Sequence, residues 1–274
     1  MPTYKGIDVS SHQKKIDWKK VKESGIEFAI IRAGYGEIYE DDYWAQNVNN
    51  AISNGIHVGA YWFIYAYDKT TAINNATKFI ALLNKFKGKI DYPVAADFEY
   101  DSMRYMRDMG VKPTKALNTE IVNTFCERVQ SAGYYVANYV SLDIKENYLN
   151  DTSKYDTWLA TWSYKTPPFD VNLWQYSSGG KVGGITGSCD MDISYVDFPE
   201  LLRERGLNFL VKPDEFEVGD LVKITKTNFS KDNYTFLLRA DSFKVLAKVG
   251  SLYDIGFNGI PVARVSANCI EKVK

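Results

Sequence analysis

From Lys5 to Tyr139 the sequence alternates between short apolar, β-branched runs and longer stretches with apolar side chains at helical spacing. Strands are predicted at Lys5–Ser10, Phe28–Ala33, Val58–Phe63, the run Pro93-Val94-Ala95-Ala96-Asp97-Phe98-Glu99, and Tyr135–Tyr139. Helices are predicted from a cap at Asp17 to Ser24, closed by Gly25, then over Asp42–Ser53, Thr71–Phe86 and Lys115–Ala132. Phe28–Ala33 is almost continuously apolar, as a strand buried on both faces of a parallel sheet would be. Strand–helix alternation of this kind gives a parallel sheet with helices outside it, most simply a closed barrel.

The alternation weakens after residue 150. Thr157–Trp162 and Val171–Tyr176 read as strands joined by a short Pro-containing loop, and the Gly-rich stretch Gly179–Gly187 leads to a strand at Asp190–Tyr195. No helical pattern fits between these strands, so the expectation is an irregular, TIM-like β/α barrel whose last strands are joined by loops. The Gly-rich stretch is expected to form a flexible hairpin over the cleft, with the eighth strand antiparallel to the seventh. Asp190 and Asp192 would then share its inward face, with Met191 and Ile193 outward. Pro199–Gly206 reads as a short helix and residues 208–213 as a linker. Beyond it the pattern changes to short strands at Asp220–Thr225, Phe236–Arg239, Lys244–Val249, Val262–Val265 and Cys269–Val273, a small all-β domain. The expected domains are 1–207, a catalytic barrel, and 214–274.

Within the fourth strand, side-chain alternation puts Ala95, Asp97 and Glu99 on one face. The two acids then lie about 6.5–7 Å apart at their α-carbons, at ~3.3 Å per residue. Paired carboxylates at this scale are the equipment of glycoside hydrolysis; the plainer alternative is two solvated or ion-paired acids at a strand end. In a closed α/β barrel, chemistry gathers at the C-terminal ends of the strands. Asp8, Tyr61, Tyr139, Trp162 and Gln175 all sit late in their predicted strands, as Asp97 and Glu99 do.

Composition removes other classes. With 33 Lys and Arg against 34 Asp and Glu, the chain has a formal net charge of −1 and no electrostatic footprint for nucleic acid. Its apolar runs are strand-length, too short for a membrane-spanning helix. Two histidines, His12 and His57, and three scattered cysteines are too few for the usual zinc ligand sets, so no metal and no cofactor is expected. The odd cysteine count argues against a disulfide framework and suits synthesis in a reducing cytoplasm. Met1-Pro2-Thr3-Tyr4 runs straight into the first strand, without the pattern of a secretory signal.

Gly6-Ile7-Asp8-Val9-Ser10-Ser11-His12-Gln13, followed by Ile16-Asp17-Trp18, resembles the opening of glycoside hydrolase family 25 lysozymes. The resemblance continues through Ala60-Tyr61-Trp62-Phe63, Ala96-Asp97-Phe98-Glu99, Leu173-Trp174-Gln175-Tyr176 and Gly187-Ser188-Cys189-Asp190-Met191-Asp192, over residues 4–200. That family often carries His where Trp62 stands, and Val-Asp where Cys189-Asp190 stands. The resemblance implies cleavage of the β-1,4 bond between N-acetylmuramic acid and N-acetylglucosamine in bacterial cell-wall peptidoglycan. It implies Glu99 as general acid, with Asp97 as nucleophile or as support for the substrate's own acetamido group. Asp8 and Asp190 would complete the catalytic carboxylates, while Tyr61, Tyr139, Trp162, Gln175 and Asp192 would bind substrate. The C-terminal segment is similar to a bacterial SH3-like module, which implies a wall ligand for it. The whole is similar to a phage endolysin, made in the host cytoplasm and released to the wall. The rival readings are a family 18-like chitinase and a catalytically silent glycan-binding protein. Oligomeric state is not legible at this level.

Overall fold

The computed structural model describes residues 3–210, 216–225, 242–250 and 252–273. The chain divides into two compact units, Met1–Val211 and Lys212–Lys274. In the first unit the elements run β1 (Tyr4–Val9), α1 (Trp18–Glu23), β2 (Phe28–Tyr35), β3 (Tyr39–Glu40), α2 (Trp44–Ser53), β4 (His57–Phe63), α3 (Lys69–Asn84) and β5 (Val94–Asp97). They continue with α4 (Tyr100–Asp108), α5 (Lys115–Ser131), β6 (Val136–Ser141), α6 (Leu142–Asn147), β7 (Asp156–Ala160), β8 (Leu173–Gly180), β9 (Cys189–Ser194) and α7 (Phe198–Glu204).

Eight of these strands close a barrel in the order β1-β9-β8-β7-β6-β5-β4-β2, with β1 pairing back on β2. The two-residue β3 only extends β2 as a hairpin. From β1 through β8 the barrel neighbours are parallel. β9 runs antiparallel to both β8 and β1. Its reversal follows from the connection: residues 181–188 are too few for the helical crossover a parallel return needs.

Period-two alternation sorts the core into two layers. Ile7, Val9, Ala29, Ile31, Val58, Ala60, Val94, Ala96 and Phe98 point outward against helix residues such as Trp44, Val48, Phe79 and Phe125. Phe28, Ile30, Ala95, Tyr139, Trp158 and Leu173 point inward. At the floor of the barrel Phe28 stacks on Tyr92 with centroids 4.3 Å apart, and Tyr92 and Tyr135 both pack on Phe198 of α7. The helices start where their capping residues say they should. Asp17 accepts from the Lys20 N–H and Thr114 from the Leu117 N–H, while Asp68 and Thr71 bond reciprocally.

Three expectations need correction. The fourth strand stops at Asp97, and Glu99 instead stands at the N-terminus of α4, its N–H donating to Ser102 Oγ at 3.1 Å. The Gly-rich connection does not lie over the cleft. The Gly184 carbonyl accepts from the Asp17 N–H, the Gly183 N–H donates to Ser24 Oγ, and Val182 is buried, so the loop is packed along α1. A Cβ on Gly184 would come within 2.3 Å of the Asp17 carbonyl oxygen, so close approach rather than flexibility explains that glycine. The expected linker from residue 208 is also packed at its start. Asn208 is fully buried and donates to the Ile90 and Tyr92 carbonyls, while its Oδ1 accepts from the Tyr135 N–H.

In the second unit, β10 (Leu221–Ile224), β11 (Phe243–Val249), β12 (Leu252–Phe257), β13 (Ile260–Ser266) and β14 (Ile270–Lys272) form an antiparallel sheet in the order β13-β12-β11-β10-β14. Its core gathers Phe216, Val222, Phe243, Val245, Tyr253 and Ile255. The strand expected at Phe236–Arg239 lies outside the described residues. β12 was not anticipated, although Asn258-Gly259, both at positive φ, is a hairpin turn that marks its end.

Candidate active site

The C-terminal ends of the barrel strands surround a cavity of about 140 Å³. Its wall carries four carboxyl groups, Asp8 from β1, Asp97 from β5, Glu99 just beyond it and Asp190 from β9. Tyr61, Phe63, Tyr139, Trp158 and Gln175 supply the rest, with Arg32 the one cation among the described residues. Asp8 and Asp190 are directly opposed across the β1–β9 pair, which puts their side chains on the same face.

Two close carboxyl pairs involve these acids, one within the cavity and one reaching behind its wall. Asp97 and Glu99 are in hydrogen-bond contact. Two carboxyl groups make that contact only by sharing a proton, so the pair, rather than either member, sets the titration. Burial pushes Asp97 well above the usual carboxylate range, the charge of Glu99 pushes it further, and Arg32 opposes. Its Oδ1 is buried and has no other partner among the described residues. Glu99 is also raised, first by burial and then by the charges of Asp101 and Asp190, against the opposing effect of the Tyr139 hydroxyl and the Asp97 carboxyl beside it. The second pair is Asp8 with Asp192. Asp8 is raised by burial and by the charges of Asp192 and Asp190, while Gln175 Nε2 donates to its Oδ2 at 2.7 Å. Asp192 is pushed up to about 8 by burial, against the hydrogen bond from Trp158 Nε1 at 2.8 Å.

Gln175 ties the two sides together. Its Oε1 accepts from the Tyr139 hydroxyl at 3.2 Å and from Trp162 Nε1 at 3.1 Å. Tyr139 and Trp158 meet edge to face at 4.6 Å. Arg32 is fixed from behind, with Nε on Asp41 Oδ2 and Nη2 on Ser11 Oγ, both at 2.9 Å. A bulge in the β2–β4 pairing falls between Arg32 and Gly34, beside the cavity.

The structure therefore brings together Asp8, Asp97, Glu99, Asp190, Tyr61, Tyr139 and Gln175. Asp192 does not reach the cavity. It lies fully buried behind the wall, where it can touch Asp8 and Trp158 but no ligand. Trp162 stands past the end of β7 and is 57% exposed, at the rim and not inside. Sequence reasoning missed Arg32, Phe63 and Trp158. Arg32 had a visible signal, a lone charge inside an apolar strand, which is costly unless a partner or a task holds it there. Trp158 could have been found by parity, since it lies two residues before inward-facing Ala160.

The arrangement can donate a proton from a carboxylic acid, stabilise developing positive charge with neighbouring carboxylates, and stack an apolar ring face on aromatic side chains. Among the described residues no group of three or more His, Cys, Asp and Glu side chains is placed to hold a metal ion.

Residues 7–185 match the family model described as glycosyl hydrolases family 25. The autolytic lysozyme of Clostridium acetobutylicum is 29% identical over 191 residues, which is 69% of this chain and 55% of that protein. The chain thus spans about half the length of that relative. A family 25 glycosyl hydrolase from Bacillus anthracis superimposes with a TM-score of 0.60 at 26% identity, over 70% of this chain and 89% of the other. The modular autolysin LytC of Streptococcus pneumoniae, solved with a synthetic peptidoglycan ligand, does so with a TM-score of 0.59 at 28% identity, over 70% of this chain and 47% of its own. With the family match covering more than half of the chain and the paired acids at the mouth of its barrel, the chain belongs to glycosyl hydrolases family 25.

Proposed function

We propose that the barrel mouth hydrolyses the β-1,4 bond between N-acetylmuramic acid and N-acetylglucosamine in bacterial peptidoglycan. The observation that carries this reading is the gathering of Asp8, Asp97, Glu99 and Asp190 around one cavity bounded by aromatic rings. Glu99 is the partly exposed member and protonates the leaving oxygen; its raised pKa keeps that proton available toward neutrality.

Inverting hydrolysis places a water between two carboxyl groups roughly 6.5–9.5 Å apart. A pair in hydrogen-bond contact has no room for that water, so the anomeric configuration is retained. The one proton the pair shares is the one Glu99 delivers, which leaves Asp97 as a buried carboxylate with little freedom to attack. It is better suited to orient the acetamido group of the substrate, which attacks the anomeric carbon itself. Asp8 and Asp190 add negative charge where the oxocarbenium-like centre develops.

The second unit serves as a wall-binding module of SH3-like type, a reading supported by its separate core and antiparallel sheet. The biological setting we propose is a phage endolysin, made in the host cytoplasm and acting on the wall after release. Cys126 and Cys189, both buried and in no disulfide, fit synthesis in a reducing compartment.

Reducing-end analysis of digested peptidoglycan tests the chemistry. New muramic acid ends are expected. New glucosamine ends would redirect the reading to a glucosaminidase or chitinase, and no new ends would leave a glycan-binding protein.

A further inference from the structure

Beside the cavity, on the β2 side, lies a groove of about 540 Å³, nearly four times the cavity's volume. Both are lined by Arg32 and Phe63, so they adjoin. No step of the proposed chemistry uses the groove. One of its walls is aromatic: Tyr35 and Tyr39 stack 4.9 Å apart at an interplanar angle of 15°, and Tyr65 meets Tyr35 edge-on at 6.0 Å and Phe63 at 5.0 Å. Tyr39 is 56% exposed and Ile38, in the turn before it, 72%, a concentration of apolar surface left in water at the start of β3.

This hairpin is held in place. A Cβ on Gly34 would fall 2.0 Å from the Tyr39 carbonyl oxygen, so only glycine lets β3 lie this close to β2. Fully buried Trp62 donates its indole N–H to the Gly36 carbonyl at 3.1 Å, and the Asp41 N–H donates to the Ala33 carbonyl at 2.9 Å. Most charges facing the groove are already engaged: Arg32 with Asp41, Glu40 with Lys85 at 3.3 Å, and Asp101 with Arg104 at 3.0 Å. A ligand therefore meets ring faces and carboxylate lone pairs. That pairing suits a pyranose, whose C–H face settles on the negative face of a π-system while its rim hydroxyls donate hydrogen bonds.

Resting on the reading of the mouth as a glycan-cutting site, we infer that this groove binds the uncut glycan strand beyond the scissile bond, with the Tyr35/Tyr39 stack as the platform for a sugar ring. The platform holds the polymer while the cavity acts on one linkage, and it makes the protein favour long strands over short ones. Stem peptides are the competing occupant. They are disfavoured because their charged groups would find most of these side chains already paired.

The test uses the full chain on peptide-free glycan strands of graded length, with products separated chromatographically. Wild-type kcat/KM should rise with strand length. In Tyr39→Ala, and separately in Tyr35→Ala, the ratio of variant to wild-type kcat/KM should fall as strands lengthen, reaching a loss of about three- to tenfold carried by KM. Tyr39→Phe should preserve the length dependence, because the ring is kept. Circular dichroism and melting curves establish that each variant is folded; Tyr39 is exposed enough that its truncation removes little packing. Variants that match wild type at every length overturn the platform and leave the glycosidase reading standing. So does an equal loss at all lengths, or a loss seen only when stem peptides are attached. A wild type that cuts no strand at any length overturns the glycosidase reading and the platform with it.

Discussion

The two ends of the barrel are built from the same strands and obey opposite rules. At the floor, Phe28, Tyr92 and Phe198 pack ring against ring and α7 closes them over. At the mouth the same inward-facing positions carry Asp8, Asp97 and Gln175, and one buried oxygen of Asp97, like one of Asp192 behind the wall, has no hydrogen-bond partner among the described residues. Only a few residues along β1, β5 and β9 separate the two regimes. The floor lowers the free energy of the fold. The mouth raises it, since each buried carboxyl is held away from the ionisation state it would choose in water. The mouth is tolerated because the floor and the outer layer of helix-facing side chains over-determine the backbone that presents it.

The comparison breaks most visibly when the floor is hollowed. Phe28→Ala should destabilise the barrel by about 3–5 kcal/mol, since a fully buried ring leaves a cavity. The acids at the mouth are untouched, so protein that remains folded should keep its specific activity. Denaturant titration combined with turbidity loss of walls, normalised to the folded fraction, checks both halves. An activity loss exceeding the folded-fraction loss would mean that the two ends are not separable.

Asp97→Asn addresses the mouth alone. It keeps the side-chain shape and removes the shared proton, so activity should fall at least about tenfold through lost stabilisation of developing charge. Melting temperature should hold or rise, because a penalised buried acid has been removed. A variant that melts lower while staying active would place Asp97 among the structural residues.

Asp192→Asn sharpens the contrast through pH. The folded-state pKa of Asp192 is raised to about 8, against about 3.9 for a free Asp side chain. The native state therefore binds more protons than the unfolded chain between those values. Stability from this group is full below about pH 4 and is lost as pH rises through about 8. Without that ionisation, Asp192→Asn should gain on wild type as pH rises from 5 to 8, by up to roughly 4 kcal/mol. Melting curves at the two pH values measure it. A gain that is larger at pH 5 would contradict the assignment.

Much of this was legible in the sequence because barrel strands repeat one physical constraint. Apolar runs of strand length, alternating with capped helices, put the C-terminal residues of successive strands around one opening. Asp8, Tyr61, Asp97, Tyr139 and Gln175 could be read from position alone, and Asp190 followed once the short β8–β9 connection was recognised as a reversal. What escaped was set by tertiary contact. Glu99 leaves the strand because α4 begins there, and the short, polar run Tyr100–Asp108 carries only Met103 and Met106 at helical spacing to announce a helix. Gly183 and Gly184 look like a flexible loop, but they are glycines because α1 leaves no space for a Cβ. Asn208 looks like a linker residue, yet it serves three backbone groups at the barrel floor. A polar residue that satisfies buried backbone is indistinguishable, in sequence, from one that faces water.

The most direct test of the mouth as a site kept for function at the expense of stability is Glu99→Gln, assayed for wall lysis and for melting temperature on the same preparation. Gln nearly matches Glu in shape but cannot deliver the proton. Lysis should be lost while the melting temperature stays equal to that of wild type or rises. A folded Glu99→Gln protein that lyses walls at close to the wild-type rate would remove Glu99 from the chemistry and overturn the reading of the mouth.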